Sequence, residues 1–329
     1  MRVEHGVRVA LRALLAVACT SVPHVPAYAA APDHEPLAFV TNQGDNTVSV
    51  IALARGQVIK TIAVGDAPVG VSVDARRRLV FITCANSRQV QTIDADSLEV
   101  TGTAAAGISP LGIAADSRSG RVYVADWDAG EILIYDGATL AARGRYKTGH
   151  TPSGIALTAD GTRLLVANRD DNEVSVIDTT NGLTEARIPT GKAPFGISVT
   201  GGGRYAFAAD VQSNEITVID LQSMQSSSSM ATGVMPYASV FDPIRQRLFV
   251  TNQSDGTVSV LDPLEQQDEH RVTVGDYPEG IAIAVNARRV YVANWFSNTV
   301  TVIDADSLQV VGEIKTGNGS RAFGDFLLQ

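Results

Sequence analysis

Three observations predict an all-β ring of seven four-stranded blades, a seven-bladed β-propeller. One motif recurs every 42 residues without insertion or deletion, each copy divides into four short β-rich runs parted by turn residues, and a strand missing at the N-terminus reappears at the C-terminus. Val40, Ile82, Val124, Val166, Ala208, Val250 and Val292 keep one phase, as do Gly65, Gly107, Gly149, Gly191, Gly233, Gly275 and Gly317. Three residues beyond those glycines stand Pro68, Pro110, Pro152, Pro194, Pro236 and Pro278, and Ser320 ends the series. A composition with 29 glycines and 6% aromatic residues in 329 suits many short strands and tight turns.

From the N-terminus, residues 1–29 read as an export signal. Arg2, Arg8 and Arg12 precede the apolar run "ALLAVA", and "AYA" up to Ala29 offers a small-residue cleavage site, with the cut expected within Ala29 to Ala31. The run is too short to span a bilayer. Cys19 raises lipoprotein anchoring, but Ala16 stands where a lipobox carries Leu. Residues 30–36 read as a flexible leader, and residues 37–329 as one propeller domain that is periplasmic or secreted and monomeric. Losing residues 1–29 removes three Arg and one Glu, so the formal charge goes from −9 to −9 − 2 = −11. An acidic chain repels phosphate backbones, so nucleic acid is not an expected partner. Cys84 is then the single cysteine, so no internal disulfide can form. It replaces the Asn or Asp of the other copies, either as a reactive thiol or as a small hydrophobe.

The first copy opens on "LAFVTN" (residues 37–42), equivalent to a second strand, with no inner strand before it. "RAFGDFLL" (residues 321–328) occupies the inner-strand register and stops, so the two ends are expected to pair in one blade and satisfy each other's edges. In the fourth copy the runs are "FGISV", "RLLVAN", "EVSVID" and "EARIPTG". Asp94, Asp136, Asp178, Asp220, Asp262 and Asp304 end third strands and begin turns; Asn42, Asp126, Asn168, Asp210, Asn252 and Asn294 end second strands in the same manner. Carboxylates repeated in this way serve the scaffold. Glycines at 70, 112, 154, 196 and 280 open inner strands, where sheets crowd toward the axis. The serine-rich "LQSMQSSSSM" (residues 221–230) gives one blade a polar outer edge.

"YVAN", "VSVID" and "TGKAPFGI" resemble the YVTN-type repeat, and the chain from about residue 37 to 328 is similar to secreted, YncE-like seven-bladed propellers. That resemblance implies the fold. For function it leaves several roles open: a binding or assembly module, a lactonase- or lyase-type enzyme, or an accessory protein of a periplasmic quinoprotein redox system.

Recognition is expected where the repeat breaks. The residue after the second-strand Asn or Asp runs Gln43, Ala85, Trp127, Arg169, Val211, Gln253, Trp295, and the residue after the proline runs Val69, Leu111, Ser153, Phe195, Tyr237, Glu279, Arg321. Both columns fall on one mouth of the ring. Trp127, Trp295, Arg169, Phe195, Tyr237, Glu279 and Arg321 therefore form the candidate ligand-binding set, with His150 of the loop "TGHTP" added, suited to a small molecule or a periplasmic protein partner. The same aromatics could instead plug the channel, and Glu279 with Arg321 could be an ion pair that locks the ring. The two tryptophans, in copies three and seven, are expected on opposite sides of the mouth. HExxH, GxSxG, CxxCH and a phosphate-binding Gly loop are absent, so no catalytic residue is assigned. The inner strands are mostly small or apolar, with Asp325 the exception, so neither a metal nor another cofactor is expected.

Overall fold

The computed structural model describes residues 34–263 and 267–329; Cys19, the expected export signal and its expected cleavage site lie outside them. Seven antiparallel sheets follow the 42-residue period. Blade one contains Leu37–Asn42, Thr47–Ala52 and Gln57–Ala63. Blades two to seven begin with inner strands Pro68–Asp74, Pro110–Asp116, Pro152–Leu157, Pro194–Val199, Pro236–Asp242 and Pro278–Ala284. Second and third strands are buried nearly throughout, as in "LAFVTN", because each sheet is covered on both faces by its neighbours. Outer strands such as Ala142–Lys147 are exposed and polar. Glu35 of the leader pairs with Arg55, and the Pro36 carbonyl accepts from the Leu53 amide.

Crowding at the axis explains the inner-strand glycines. A Cβ on Gly112 would lie 2.2 Å from the Ser153 carbonyl, and one on Gly196 the same distance from the Tyr237 carbonyl of the next blade. No side chain fits there.

The ring closes between its two ends, and in more detail than a single strand. Leu327–Leu328 pairs antiparallel with Leu37 and Ala38, and Ser320 bridges Asn42. Between those anchors the inner strand spends seven residues (320 to 327) against four (42 to 38). Blade seven shows the ordinary case, three (Pro278 to Ile281) against two (Asn294 to Val292). The surplus forms a bulge, Phe323–Asp325, which leaves blade one and pairs parallel with Gly70 to Ser72 of blade two. Gly324 is required at its centre: φ is 127°, and a Cβ would lie 2.3 Å from the Val71 carbonyl.

The buried Asn or Asp at each second-strand end does more than begin a turn. The Asn252 amide donates to Thr257 and Ser259, and its oxygen accepts the Gly233 amide; Asn42 does the same with Thr47, Ser49 and Gly317. One side chain thus joins hairpin and loop. At Asp210 this fails, because a carboxylate has no N–H: Thr217 donates to Oδ2, while Oδ1 is buried without a partner. Burial pushes Asp210 up to about 7. Its folded pKa lies above an unfolded value of about 4, so stability is lost as pH rises from about 4 to about 7. Asp210→Asn is expected to raise stability by about 1–3 kcal/mol at pH 8 and by little near pH 4, checked by urea unfolding at both pH values. A gain that does not change with pH would overturn the assignment.

Cys84 occupies the same position in blade two, fully buried, and burial pushes its thiol up to about 12. That settles its two readings in favour of the inert hydrophobe.

Candidate functional site

The loops bearing both variable columns are fastened to each other by a repeated hydrogen bond. The amides of Gln43, Ala85, Trp127, Arg169, Val211, Gln253 and Trp295 donate to the carbonyls of Gly319, Ala67, Ser109, Thr151, Ala193, Met235 and Tyr277. Seven identical bonds place all fourteen residues on one face and leave only the side chains to differ.

At the axis those side chains build a plug. Phe195 lies 4.3 Å from Tyr237, 5.3 Å from Phe323 and 5.8 Å from Trp127, ring centre to ring centre, and Tyr237 lies 5.5 Å from Phe323. Val69, Leu111 and Ala85 pack around them. Phe323 comes from the bulge of the closing strand, so closure of the ring and closure of the mouth use the same residues. Tyr237 is buried, and burial raises its hydroxyl above the usual tyrosine range.

Beside the plug is a buried charge network. Glu279 is 0% exposed, and its two oxygens accept Arg321 Nε and Nη2. Arg321 Nη2 also donates to the Tyr237 hydroxyl at 2.8 Å, and Gln253 Nε2 donates to Glu279 at 2.7 Å. Burial pushes the Glu279 carboxyl up, while the guanidinium pulls it back. The pair joins blades six and seven to the closing strand. Its guanidinium carbon sits 4.6 Å above the Trp295 ring, a cation–π contact that adds to the ion pair.

Around Trp295 the surface changes character. Phe296 packs on Trp295 at 4.8 Å and on Tyr277 at 4.4 Å, and it is 57% exposed. Met235 and Val234, on the preceding loop, are exposed on the same face. Trp127 lies elsewhere on the rim, against Phe195 and 5.9 Å from the Arg169 guanidinium. Each tryptophan therefore has its own arginine, and the two are linked through Phe195, Tyr237 and Arg321. His150 is 85% exposed and bound to Asp171 at 2.8 Å, outside the aromatic cluster. Tyr277, Phe296 and Phe323 were absent from the set drawn from the sequence. The column Gly44, Asn86, Asp128, Asp170, Gln212, Ser254, Phe296 held one signal, an aromatic where every other copy is small or polar.

Beneath the plug the channel holds a 410 Å³ cavity, lined by the inner strands from Gly112 to Ala115, Gly154 to Leu157 and Gly196 to Val199, with Ser239, Ile283 and Asp325. Its lining runs away from the plug toward the opposite face.

The family model "YNCE-like beta-propeller" matches residues 101–238. Over that stretch the chain is similar to YncE-like propellers. A second model, "Cytochrome D1 heme domain", matches residues 208–321 of this propeller. No curated protein shows significant similarity to the chain. Among solved structures, hydrazine synthase of Kuenenia stuttgartiensis is similar at 20% identity and a TM-score of 0.70, over 77% of this chain and 87% of that one. A functionally unknown protein of Desulfotomaculum acetoxidans gives 16% and 0.74, over 88% and 99%. The dihydro-heme d1 dehydrogenase NirN gives 16% and 0.66, over 93% and 77%. At these identities the likeness is one of fold. The central cavity does not fit a haem. The cavity lining contains no His, Cys, Met or Tyr to hold iron, and the plug fills the axis at the other end. Among the described residues no three His, Cys, Asp or Glu converge on a metal position.

Proposed function

We propose that this protein is an exported binding module whose plug face docks a partner protein, with Tyr277, Trp295 and Phe296 as the anchor. What carries the reading is the contrast between two aromatic groups: Phe195, Tyr237 and Phe323 seal the axis, whereas Phe296 stands 57% exposed on a rigid base of Trp295 and Arg321. An exposed aromatic held in one place costs little entropy to bind, as interface anchors require. The match to a haem-domain model over residues 208–321 favours a periplasmic redox protein as the partner, with this chain in an accessory role.

A photo-crosslinker in place of exposed Ser254, on this face, is expected to give a discrete adduct in the native host, and one in place of exposed Ile244 none. Phe296→Ala should abolish the adduct while changing stability by less than about 1 kcal/mol, since the ring is largely in solvent. An adduct unaffected by Phe296→Ala, or none at all, would overturn the docking face.

A further inference from the structure

We propose that the central cavity is a binding site for a small alkylammonium ion, with Asp325 as its counter-charge and the inner-strand side chains as its apolar wall. This site lies at the other side of the plug and is independent of the docking face. Asp325 is the one charged residue in the lining; the rest are Gly, Ala, Val, Ile, Leu, Ser and Phe. The bulge at Phe323–Asp325 sets it against Ser72 of blade two. Its one hydrogen bond within the protein is a long one, from the Leu327 amide at 3.5 Å, and among the described residues it has no cationic partner. The carboxylates at the ends of neighbouring inner strands differ: Asp74 is paired with Arg77, and Asp242 with Arg245. Asp116, also at a strand end, accepts the Ser119 hydroxyl and the Arg118 amide.

The chemistry selects the ligand class. One carboxylate supplies few of the six to eight oxygens that calcium takes. A primary ammonium needs one charge partner and a few acceptors, and Ser198 and Ser239 of blades five and six, whose hydroxyls lie 2.7 Å apart, offer acceptors in the same cavity lining. A cavity of 410 Å³ holds a short chain or ring beyond the ammonium, in contact with Ile113, Ile155, Val199 and Ile283. Asp325 is exposed to the open channel, and the inner strands around it push its carboxyl up to about 6, so it is charged at neutral pH and accessible to a cation. No other lining residue on any of the inner strands titrates in that range.

The test is calorimetric titration with hexylammonium, with hexanol and hexanoate as probes of the same body, at pH 8 and pH 5. Hexylammonium is expected to bind one to one, at least about tenfold more tightly than either other probe at pH 8, and more weakly at pH 5, where Asp325 is protonated. Asp325→Asn should lose about tenfold or more in affinity while melting no lower than the wild type at pH 8, because it removes an unpaired charge. Ala156→Phe, which fills the cavity, should abolish binding with Asp325 intact. Absence of saturable binding to the folded wild type, equal affinity for hexanol, unchanged affinity in Asp325→Asn, or Asp325-dependent binding of calcium in place of the amine would each overturn the proposal.

Discussion

Deletion of residues 321–329 is expected to abolish the cooperative thermal transition at any temperature where the intact propeller is folded. The segment is short, but its side chains are among the most enclosed in the molecule: Phe326 is fully buried, and Phe323, Leu327 and Leu328 nearly so. Emptying a buried Phe or Leu position costs about 2–5 kcal/mol, and four such losses reach the whole margin of about 5–15 kcal/mol that holds a typical domain folded. Two further costs add to this. The edge at Leu37 and Ala38 loses its partners, and Glu279 loses Arg321. Circular dichroism through a thermal ramp reads the outcome. Phe326→Ala gives a graded control: it should stay folded and lose about 3–5 kcal/mol. A truncated chain that melts cooperatively near the wild-type temperature would show that these ends do not close the ring.

How far the sequence discloses this arrangement depends on whether one copy or several must be read. The blade count, the four strands and the pairing of "LAFVTN" with the last strand follow from phase alone, since every blade buries itself against a copy of itself. The splitting of the last strand does not follow, because the bulge at Phe323–Asp325 depends on the gap beside blade two, which no single repeat encodes. The mouth shows the same division. Glu279 and Arg321 are one period apart, so their pairing could be anticipated, but the full burial of Glu279 comes from Tyr237, Gln253 and Trp295, brought from two other loops and strands. Plug and recognition surface likewise could not be separated in sequence. Phe195 and Phe296 are the same residue type at variable positions; distance from the axis half-buries one against Tyr237 and Phe323 and leaves the other in solvent.

Arg321→Ala is expected to cost about 3–5 kcal/mol at pH 8, far more than removal of a surface charge, because it strands a carboxylate with no access to water. Of the donors on Glu279 only Gln253 remains, and Tyr237 loses its partner for the hydroxyl. Burial already pushes Glu279 up in the intact protein, with Arg321 opposing; without the guanidinium the upward push stands nearly alone. The folded carboxyl then titrates well above its unfolded value of about 4.3. The native state binds the extra proton, so the deficit of the variant is small near pH 4 and grows as pH rises through the folded pKa. Glu279→Gln introduced into Arg321→Ala should recover a large part of the loss at pH 8, since an amide is far less costly to bury than a charge, and should flatten its pH dependence. Guanidinium unfolding of the four proteins, wild type, both single variants and the double variant, at pH 5 and pH 8 yields the coupling between the two residues. A deficit in Arg321→Ala that is the same at both pH values would mean that Glu279 is not left charged in the core, and the lock would then rest on the packing of Arg321 against Trp295 instead of on the ion pair.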